Sequence, residues 1–374
     1  MNRVRVSFLA TLAFAIAPIA VAFSSTTCAV QSGVRWQEIG QLPIPLESHA
    51  MIVVGDRIYI IGGWNETGGA HAEVFFAPLA QGRIAGDWQQ TTAALPLRLQ
   101  HHQAIARNGA LYVLGGDNGF GPNGRVSDRI FRAIPAASGD ILNWEAIGRL
   151  PEPRTIHAVT VAGDRLYVLG GSKTFQADTV LEDTAWAVPF EPDGRLGEFS
   201  PLPPLPQSVG WLTATTIQQQ LIAIAGRTSF QPWELSGEIW QATLIEERPT
   251  TTPNFTAAGT TIARERHATV RLGDMLAIVG GGTKQEPLTT VTATTITPEG
   301  TLTPWVTLEP LPQQRYAHAA LAHEGHILVS GGFLRYGSNE TSRQIFGLAV
   351  CKGALGETPQ TQGIDLATSA ACGL

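Results

Sequence analysis

The sequence predicts an all-β protein built as a ring of six four-stranded antiparallel sheets, a six-bladed β-propeller. Composition, an internal repeat and the pattern of apolar residues inside that repeat support this fold. The 374 residues include 40 Gly, 24 Pro and only 15% charged residues, which favours strands and turns over solvated helices. The net charge of −6 is spread along the chain without a basic cluster, so a nucleic-acid partner is not expected.

One unit recurs six times along the chain. It begins with an aromatic residue and continues through Leu-Pro, His-Ala and an alternating apolar stretch to a Gly-Gly pair. The copies run from Trp36 to Gly63, Trp88 to Gly116, Trp144 to Gly171, Phe199 to Gly226, Phe255 to Gly281 and Trp305 to Gly332. The first positions of the Gly pairs, 62, 115, 170, 225, 280 and 331, are 53, 55, 55, 55 and 51 residues apart. A period of this length indicates a propeller.

Each copy supplies four strands. The segments "HAMIVVGDRIYIIGG" and "HAVTVAGDRLYVLGG" each hold two apolar runs joined by Gly-Asp, which predicts a hairpin. A third strand follows the Gly pair, and a Gly-bearing turn leads to a fourth strand at the next aromatic residue. A blade cannot bury its faces alone, so six such units predict a closed ring.

The repeats are out of phase with the chain ends. The first recognisable strand, around Trp36, is of the fourth type, whereas the last, at 342–350, is of the third type. We therefore expect residues 34–39 to form the outer strand of the last blade and to close the ring.

The unit resembles the kelch repeat, with its double glycine after the second strand and a Trp opening the fourth. The forms "PRTIHA" and "GRLGEF" resemble the longer repeats of secreted bacterial kelch propellers. The chain is also distantly similar to the N-acetylneuraminate epimerases and to the central propeller of galactose oxidase. The resemblance covers residues 34–350; copy four departs from it, with Leu212 in place of His and Ala225 in place of Gly.

The first 29 residues have the pattern of a secretory signal peptide. Arg3 and Arg5 precede an apolar run, and small residues suit cleavage after Ala22 or Ala29. The sequence thus predicts a secreted or periplasmic protein with no membrane span after cleavage; the alternative is an uncleaved N-terminal anchor. We expect the propeller to comprise residues 30–350 and a C-terminal tail to follow at 351–374. The protein is expected to be a monomer.

The three cysteines fall outside the repeats, at Cys28, Cys351 and Cys372. Cys28 precedes the closing strand and Cys351 follows the last strand, so a disulfide between them would hold the closure in an oxidising compartment. Cys351–Cys372 is the rival pairing, and no disulfide is the third possibility, because connectivity cannot be derived from sequence.

Candidate binding residues lie on the loops at one mouth of the central channel. These loops enter the first strand of each blade or follow its Gly pair, and they vary while the strands repeat. They combine cations with aromatic side chains, which suits a small anionic ligand such as a sugar acid. The candidates are Trp64, His101, Asp117, Lys173, Trp211, Arg227, Trp233, Glu234, Arg266, Lys284, Arg335 and Tyr336.

Five histidines occupy the same position of the repeat and are interpreted as structural. A ring of six positions around a channel is too wide to ligate one metal ion. No metal or other cofactor is expected, and no H-E-x-x-H, P-loop or G-x-S-x-G motif is present. All three cysteines lie outside the blades, so the copper-radical chemistry of galactose oxidase is not supported.

Two functions are compatible with these observations, and a third possibility is a purely structural surface protein with an inert rim. The first is an extracytoplasmic module that binds a carbohydrate, a sugar acid or a protein through its channel-mouth loops. The alternative is a sugar-acid epimerase or mutarotase similar to N-acetylneuraminate epimerase. For that chemistry Glu234, Asp117 or His101 would serve as acid and base, with Arg227 or Arg266 holding the carboxylate.

Overall fold

The computed structural model describes residues 34–244 and 254–350. These residues form 27 β-strands and no helix. The strands make six antiparallel sheets, each with four or five strands, and one additional two-stranded ribbon. The signal-peptide, C-terminal-tail and cysteine predictions all concern residues outside the described ranges.

Each blade starts with a strand that borders the central channel. These innermost strands are β2 (Ala50–Val54), β9 (Gln103–Arg107), β13 (Ala158–Ala162), β17 (Thr213–Ile217), β21 (Ala268–Leu272) and β25 (Ala319–His323). Each contacts the innermost strand of both neighbouring blades, and β25 contacts β2, so the ring is continuous.

The second and third strands of each blade complete its buried centre. The second strands are β3 (Arg57–Ile61), β10 (Ala110–Leu114), β14 (Arg165–Leu169), β18 (Gln220–Ser229), β22 (Met275–Val279) and β26 (His326–Ser330). The third strands are β6 (Val74–Ala80), β11 (Arg129–Ala133), β15 (Ala185–Pro189), β19 (Glu234–Thr243), β23 (Val291–Thr295) and β27 (Gln344–Ala349). Because both faces of these strands are covered by neighbouring blades, they consist largely of buried apolar residues.

The outermost strands are short and exposed. They are β1 (Gln37–Gln41), β7 (Arg83–Ile84), β8 (Gln89–Gln90), β12 (Glu145–Arg149), β16 (Ser200–Leu202), β20 (Thr256–Thr260) and β24 (Val306–Thr307). The remaining ribbon joins β4 (Trp64–Asn65) to β5 (Gly69–Ala70). We number the blades 1 to 6 by their innermost strands, from β2 to β25.

The chain ends close the ring as the phase of the repeats predicts. Strand β1 pairs antiparallel with β27, with Gln37 opposite Gly347 and Gln41 opposite Gln344. Blade 6 therefore consists of three C-terminal strands and one N-terminal strand. The paired segment, Gln37–Gln41, lies two or three residues further along than the expected 34–39, and its ladder contains a bulge between Glu38 and Gly40.

The hydrophobic core of the described residues has six clusters at the interfaces between neighbouring blades and two smaller ones at the channel mouth. The repeat aromatics lie in these clusters; Trp36, for example, packs among residues of blades 5 and 6 and donates its indole N–H to the Glu309 carbonyl at 2.9 Å. The blades are thus held by apolar burial between like surfaces.

The Gly pair and the repeat histidine form one interlocking contact. Gly115 has a left-handed backbone with φ of 62°, and a Cβ atom there would lie 2.8 Å from His157 Cε1 in the next blade. The equivalent contacts recur at Gly62 with His102, Gly280 with His318 and Gly331 with His49. These histidines therefore lie between blades, as the structural interpretation expects.

Candidate functional site

Six residues with the same backbone geometry surround one end of the channel. They directly precede the repeat position that carries His or Leu212, and all have φ between 48° and 56°: Ser48, His101, Ile156, Trp211, Arg266 and Ala317. We call them the mouth ring. Left-handed backbone is unfavourable for residues other than Gly, by about 1–2 kcal/mol each, so the propeller geometry imposes it in every blade.

Backbone hydrogen bonds connect members of the mouth ring across blade boundaries. The amide of Ser48 donates to the Ala317 carbonyl at 2.8 Å, and that of Ala317 donates to Arg266 at 2.8 Å. His101 donates to Ser48 at 3.2 Å. The channel beside the ring holds a cavity of about 300 Å³, lined by the first residues of the innermost strands.

A second ring of side chains is built on the mouth ring. In each blade the residue before the mouth ring pairs through its backbone with the residue after the Gly pair. The pairs are Glu47 with Trp64, Gln100 with Asp117, Thr155 with Ser172, Gly210 with Arg227, Glu265 with Gly282, and Tyr316 with Phe333. The same local geometry thus presents six chemically different pairs at one mouth.

Asp117 holds His101 in a defined orientation. The Asp117 carboxylate is fully buried and accepts hydrogen bonds from Gln100 Nε2 at 2.8 Å, the Gly119 amide at 3.0 Å and Thr155 Oγ1 at 2.5 Å. His101 Nδ1 lies 2.9 Å from Asp117 Oδ2. A carboxylate with these partners accepts, so Nδ1 carries the hydrogen and Nε2 is left as a proton acceptor.

Trp211 lies between His101 and two arginines. The ring centroids of Trp211 and His101 are 5.6 Å apart, and the guanidinium carbons of Arg266 and Arg227 lie 4.2 and 4.8 Å from the Trp211 ring centroid. The two arginine contacts are cation–π contacts within blade 4 and between blades 4 and 5, and the aromatic contact adds His101 of blade 2. They bring four of the sequence candidates, His101, Trp211, Arg227 and Arg266, into one cluster.

The two arginines differ in their partners. Arg227 makes a bidentate ion pair with the buried Glu265, at 2.5 and 2.8 Å, and also contacts the rings of Phe230 and Trp233. No ion pair within 4.0 Å involves Arg266 among the described residues. The charge of Arg227 is therefore already neutralised, whereas Arg266 is the cation that remains to meet an anionic ligand.

Glu47 is a buried carboxyl group in the same cluster. It is 3% exposed and accepts a hydrogen bond from Ser48 Oγ. Burial raises the pKa of Glu47, while electrostatic interactions with the Arg266 guanidinium and with the protonated form of His101 oppose that rise. A carboxyl group in this environment is a candidate proton donor beside His101.

Four buried polar atoms around this cluster have no protein partner: His101 Nε2, Trp211 Nε1, Trp233 Nε1 and Arg266 Nε. An unsatisfied buried polar atom costs about 1–3 kcal/mol. A ligand that pairs with these atoms would remove that cost, and because most of them are N–H donors the arrangement favours an anion.

Trp233 and Tyr336 extend the site above blade 5. Strands β18 and β19 run past the position of the Gly pair, so their connecting turn projects from blade 4. Trp233 at this turn contacts Tyr336 of blade 6 edge-to-face at 6.1 Å, and Tyr336 donates to the Thr283 carbonyl at 2.7 Å. Tyr336 lies over Gly282, where a Cβ atom would clash with it. Burial raises the pKa of Tyr336.

The remaining sequence candidates lie in exposed ion pairs. Lys173 contacts Glu152 at 2.9 Å and Glu182 at 3.5 Å, and Lys284 contacts Glu234 at 2.6 Å. Arg335 pairs with Glu340 at 3.3 Å, and both side chains are about 70% exposed. No contact joins these groups to Trp211 or His101, so they are peripheral to the cluster. Trp64, also a candidate, packs on Phe333 with ring centroids 6.0 Å apart.

Sequence reasoning missed several residues of the cluster, chiefly Glu47, Glu265 and Tyr316. All three occupy the position directly before the mouth ring. Aligning the six copies at that position would have shown its variation in charge and size, which is the signal that identifies rim residues. Phe175 and Phe230 were also missed, since single aromatics in long loops carry no periodic signal.

The fold and the site define a six-bladed β-propeller with a polar and aromatic cluster at one channel mouth. No family model matches the chain. It is similar to the Kelch-like protein terF of Aspergillus terreus, with 24% identity over 315 residues, covering 79% of this chain and 63% of that protein. It is also similar to human Kelch-like protein 33, with 26% identity over 140 residues, covering 37% of this chain and 24% of that protein.

A solved structure, described as "Structure of YjhT", shares the fold. The TM-score is 0.64 at 15% sequence identity, covering 82% of this chain and 95% of that one. The chain spans less than two thirds of the length of the curated relatives it matches. The repeats, the ring and the similarity to these Kelch-like proteins support a β-propeller of the kelch type. Within the described ranges no helix is long and apolar enough to cross a bilayer.

Proposed function

We propose that this propeller is an extracytoplasmic binding module that takes a small carboxylated ligand, of the sugar-acid class, at the mouth ring. The observation that carries the proposal is the set of four partnerless polar atoms on His101, Trp211, Trp233 and Arg266. Arg266, which has no carboxylate partner, supplies a charge-assisted hydrogen bond to the ligand carboxylate. Export is supported by the basic and apolar pattern of residues 1–29.

Isothermal titration calorimetry with D-glucuronate, D-galacturonate and N-acetylneuraminate tests the proposal. Replacing Arg266 with Ala removes the free guanidinium, and we expect affinity for the bound acid to fall about 10- to 100-fold. Arg335→Ala is the matched control, because Arg335 is an exposed rim arginine outside the cluster. Equal affinities in the two variants, or no binding of any acid by the parent protein, would refute the proposal.

A second candidate function is mutarotation or epimerisation of a sugar acid. It is favoured by two groups in one cluster: a buried carboxyl group with a raised pKa, Glu47, which interacts electrostatically with His101, and the unpartnered Nε2 of His101. Opening and closing a hemiacetal ring needs one group that donates a proton and one that accepts a proton. Proton NMR of a freshly dissolved anomer would show accelerated equilibration, which Glu47→Gln should abolish while leaving binding intact. Equal equilibration with and without the protein would exclude this activity.

A protein ligand is the other form of the binding module that the sequence allows. It would use the outer loops as well as the mouth ring, so binding would depend on Lys173, Lys284 and Arg335 as well as on Arg266. The calorimetric comparison of Arg266→Ala with Arg335→Ala separates this case from a small ligand, because a protein ligand should lose affinity in both variants and a small acid only in Arg266→Ala.

A further inference from the structure

A chain of aromatic contacts leads from the solvent to the mouth ring. Phe120 contacts Phe175 edge-to-face with ring centroids 5.2 Å apart. Phe175 in turn contacts His101 at 4.9 Å and Trp211 at 5.7 Å. Phe175 and Trp211 are each 8% exposed and belong to one buried apolar cluster, so the inner part of this path is packed against its neighbours.

The outer end of the path is exposed. Phe120 is 61% exposed and lies between Gly119 and Gly121, both of which have positive φ. The Gly121 amide donates to the Phe175 carbonyl at 2.9 Å, which ties this loop of blade 2 to the loop of blade 3. Val180, on that second loop, is 71% exposed. Two adjoining loops thus offer apolar side chains beside the mouth.

The inner end of the path is cationic. Trp211, the last ring of the path, stacks against Arg266 at 4.2 Å, and its Nε1 has no partner. A ligand lying along the path would therefore contact aromatic edges at one end and a guanidinium at the other. Charge and apolar surface together select an acid that also carries a flat apolar group.

We infer that the ligand of the mouth ring is an amphipathic acid, in which an aryl group packs on the exposed ring of Phe120 while the carboxylate meets Arg266. This inference deepens the proposed function and rests on it. A bare sugar acid would fill the cationic end alone and leave Phe120 exposed. An aryl glycoside of a uronic acid would cover both.

Three probes separate the two ends of the site. Methyl β-D-glucuronide carries the acid without the ring, 4-nitrophenyl β-D-glucuronide carries both, and 4-nitrophenyl β-D-glucoside carries the ring without the acid. We expect the aryl glucuronide to bind the full chain about tenfold more tightly than the methyl glucuronide, which is the gain typical of an aromatic contact. The glucoside should bind more weakly than the aryl glucuronide.

Phe120→Ala should reduce the advantage of the aryl glucuronide to about twofold or less without changing the affinity for the methyl glucuronide. Leu142→Ala is the matched control, because Leu142 is 64% exposed and lies in the connection between β11 and β12. It should change neither affinity. Thermal midpoints of both variants, expected to equal that of the parent, exclude unfolding as the cause.

The outcomes distinguish the two proposals. Equal binding of methyl and aryl glucuronides, with both weakened by Arg266→Ala, would overturn the aryl inference and leave the carboxylate site. Affinities that Arg266→Ala does not alter would overturn the carboxylate site and the inference with it. If Phe120→Ala changes the sedimentation coefficient of the ligand-free protein but no affinity, the surface is a self-association face and the inference is wrong.

Discussion

At the scale of single residues, the charge state of Glu47 is expected to govern binding at the mouth ring. Its carboxyl group is buried and interacts electrostatically with His101, Arg266 and Asp117, and its charge also acts on Tyr316. A ligand carboxylate on Arg266 adds another negative charge close by. Two carboxylates near one cation favour protonation of one of them, so binding raises the pKa of Glu47 further.

We therefore predict that affinity for D-glucuronate falls as pH rises above the pKa of Glu47 in the free protein, because binding takes up a proton. Calorimetry between pH 5 and pH 8 should give a fall of up to about tenfold per pH unit. Glu47→Gln keeps the shape but not the charge and should make affinity nearly independent of pH. The same slope in both proteins would show that another group, such as His101, is responsible.

The repeat histidines link stability to pH. They are buried between blades, and burial lowers the pKa of His49, His157 and His267 to about 3 and of His102 to about 4. The pKa of His318 is also lowered, for the same reason. In the unfolded chain these groups titrate near 6.5. Their neutral form favours folding, so stability is fully present above pH 6.5 and is lost as pH falls towards 3–4.

His157→Leu tests this linkage, because Leu212 already occupies the equivalent position in blade 4 and neither ring nitrogen of His157 has a partner. Each histidine adds up to about 1.4 kcal/mol per pH unit to the slope of the unfolding free energy below pH 6.5. Urea denaturation at pH 7.5 and pH 5.5 measures the free energy of unfolding at each pH. Between these pH values the variant should lose less of that free energy than the parent, by the contribution of one histidine. An unchanged slope would mean that His157 becomes protonated in the folded state.

At the scale of elements, the contact between the Gly pair and the next blade sets the spacing of the sheets. A Cβ atom on Gly115 would collide with the Arg154 carbonyl and lie 2.8 Å from His157 Cε1. Gly109 also has positive φ, 76°, but nothing lies within 4 Å of its Cβ position. The two glycines therefore share a backbone conformation that is unfavourable for other residues, but only Gly115 packs closely against the next blade.

We predict that Gly109→Ala lowers the free energy of unfolding by about 1–2 kcal/mol, the cost of left-handed backbone. Gly115→Ala should cost about 1–3 kcal/mol more, since the added methyl group also overpacks the blade interface. Urea denaturation of both variants measures the difference. Equal losses would show that the sheets can move apart at this contact.

The elements that repeat were predictable from the sequence, and those that do not repeat were not. The Gly pairs, the aromatics and the alternating apolar runs recur with the blades, so six copies reinforce one interpretation. Blade 4 breaks the pattern: Ala225 replaces the first Gly, and bulges at 224–226 and 227–229 carry β18 onward to Ser229. The repeat pattern of the sequence does not predict that β18 extends to Ser229, and this extension brings Phe230 and Trp233 to the site.

The candidate site was predicted only in part for a related reason. The cationic and aromatic residues of the rim loops could be identified in the sequence. Which of them contact each other, however, depends on how neighbouring blades pack. Arg227 and Arg266 both stand out in the sequence as rim cations, yet only Arg227 pairs with Glu265, the residue that precedes Arg266 in blade 5. Such partners come from separate copies of the repeat, and only the closed ring brings them together.

At the scale of the whole molecule, the ring depends on the junction between the chain ends. In the sheet of blade 6, the outer strand β1 comes from the N-terminal part of the described residues, whereas the other three strands come from the C-terminal part. Trp36 precedes it, is 9% exposed, and packs among residues of blades 5 and 6. Trp144 holds the equivalent position in blade 2 and is 8% exposed, but its indole N–H has no partner and its strand, β12, directly follows β11 in the chain.

Replacing either tryptophan with Ala should cost about 3–5 kcal/mol of unfolding free energy, because each leaves a large cavity. The location of the effect should differ. In Trp36→Ala, β1 loses its anchor and has no short connection to hold it beside β27, so amide hydrogen exchange should accelerate across residues 344–349. In Trp144→Ala, the short connection keeps β12 in place, and exchange in β11 should change little. Acceleration in neither variant, or in both equally, would mean that the closing strand is held by its ladder with β27 and not by Trp36.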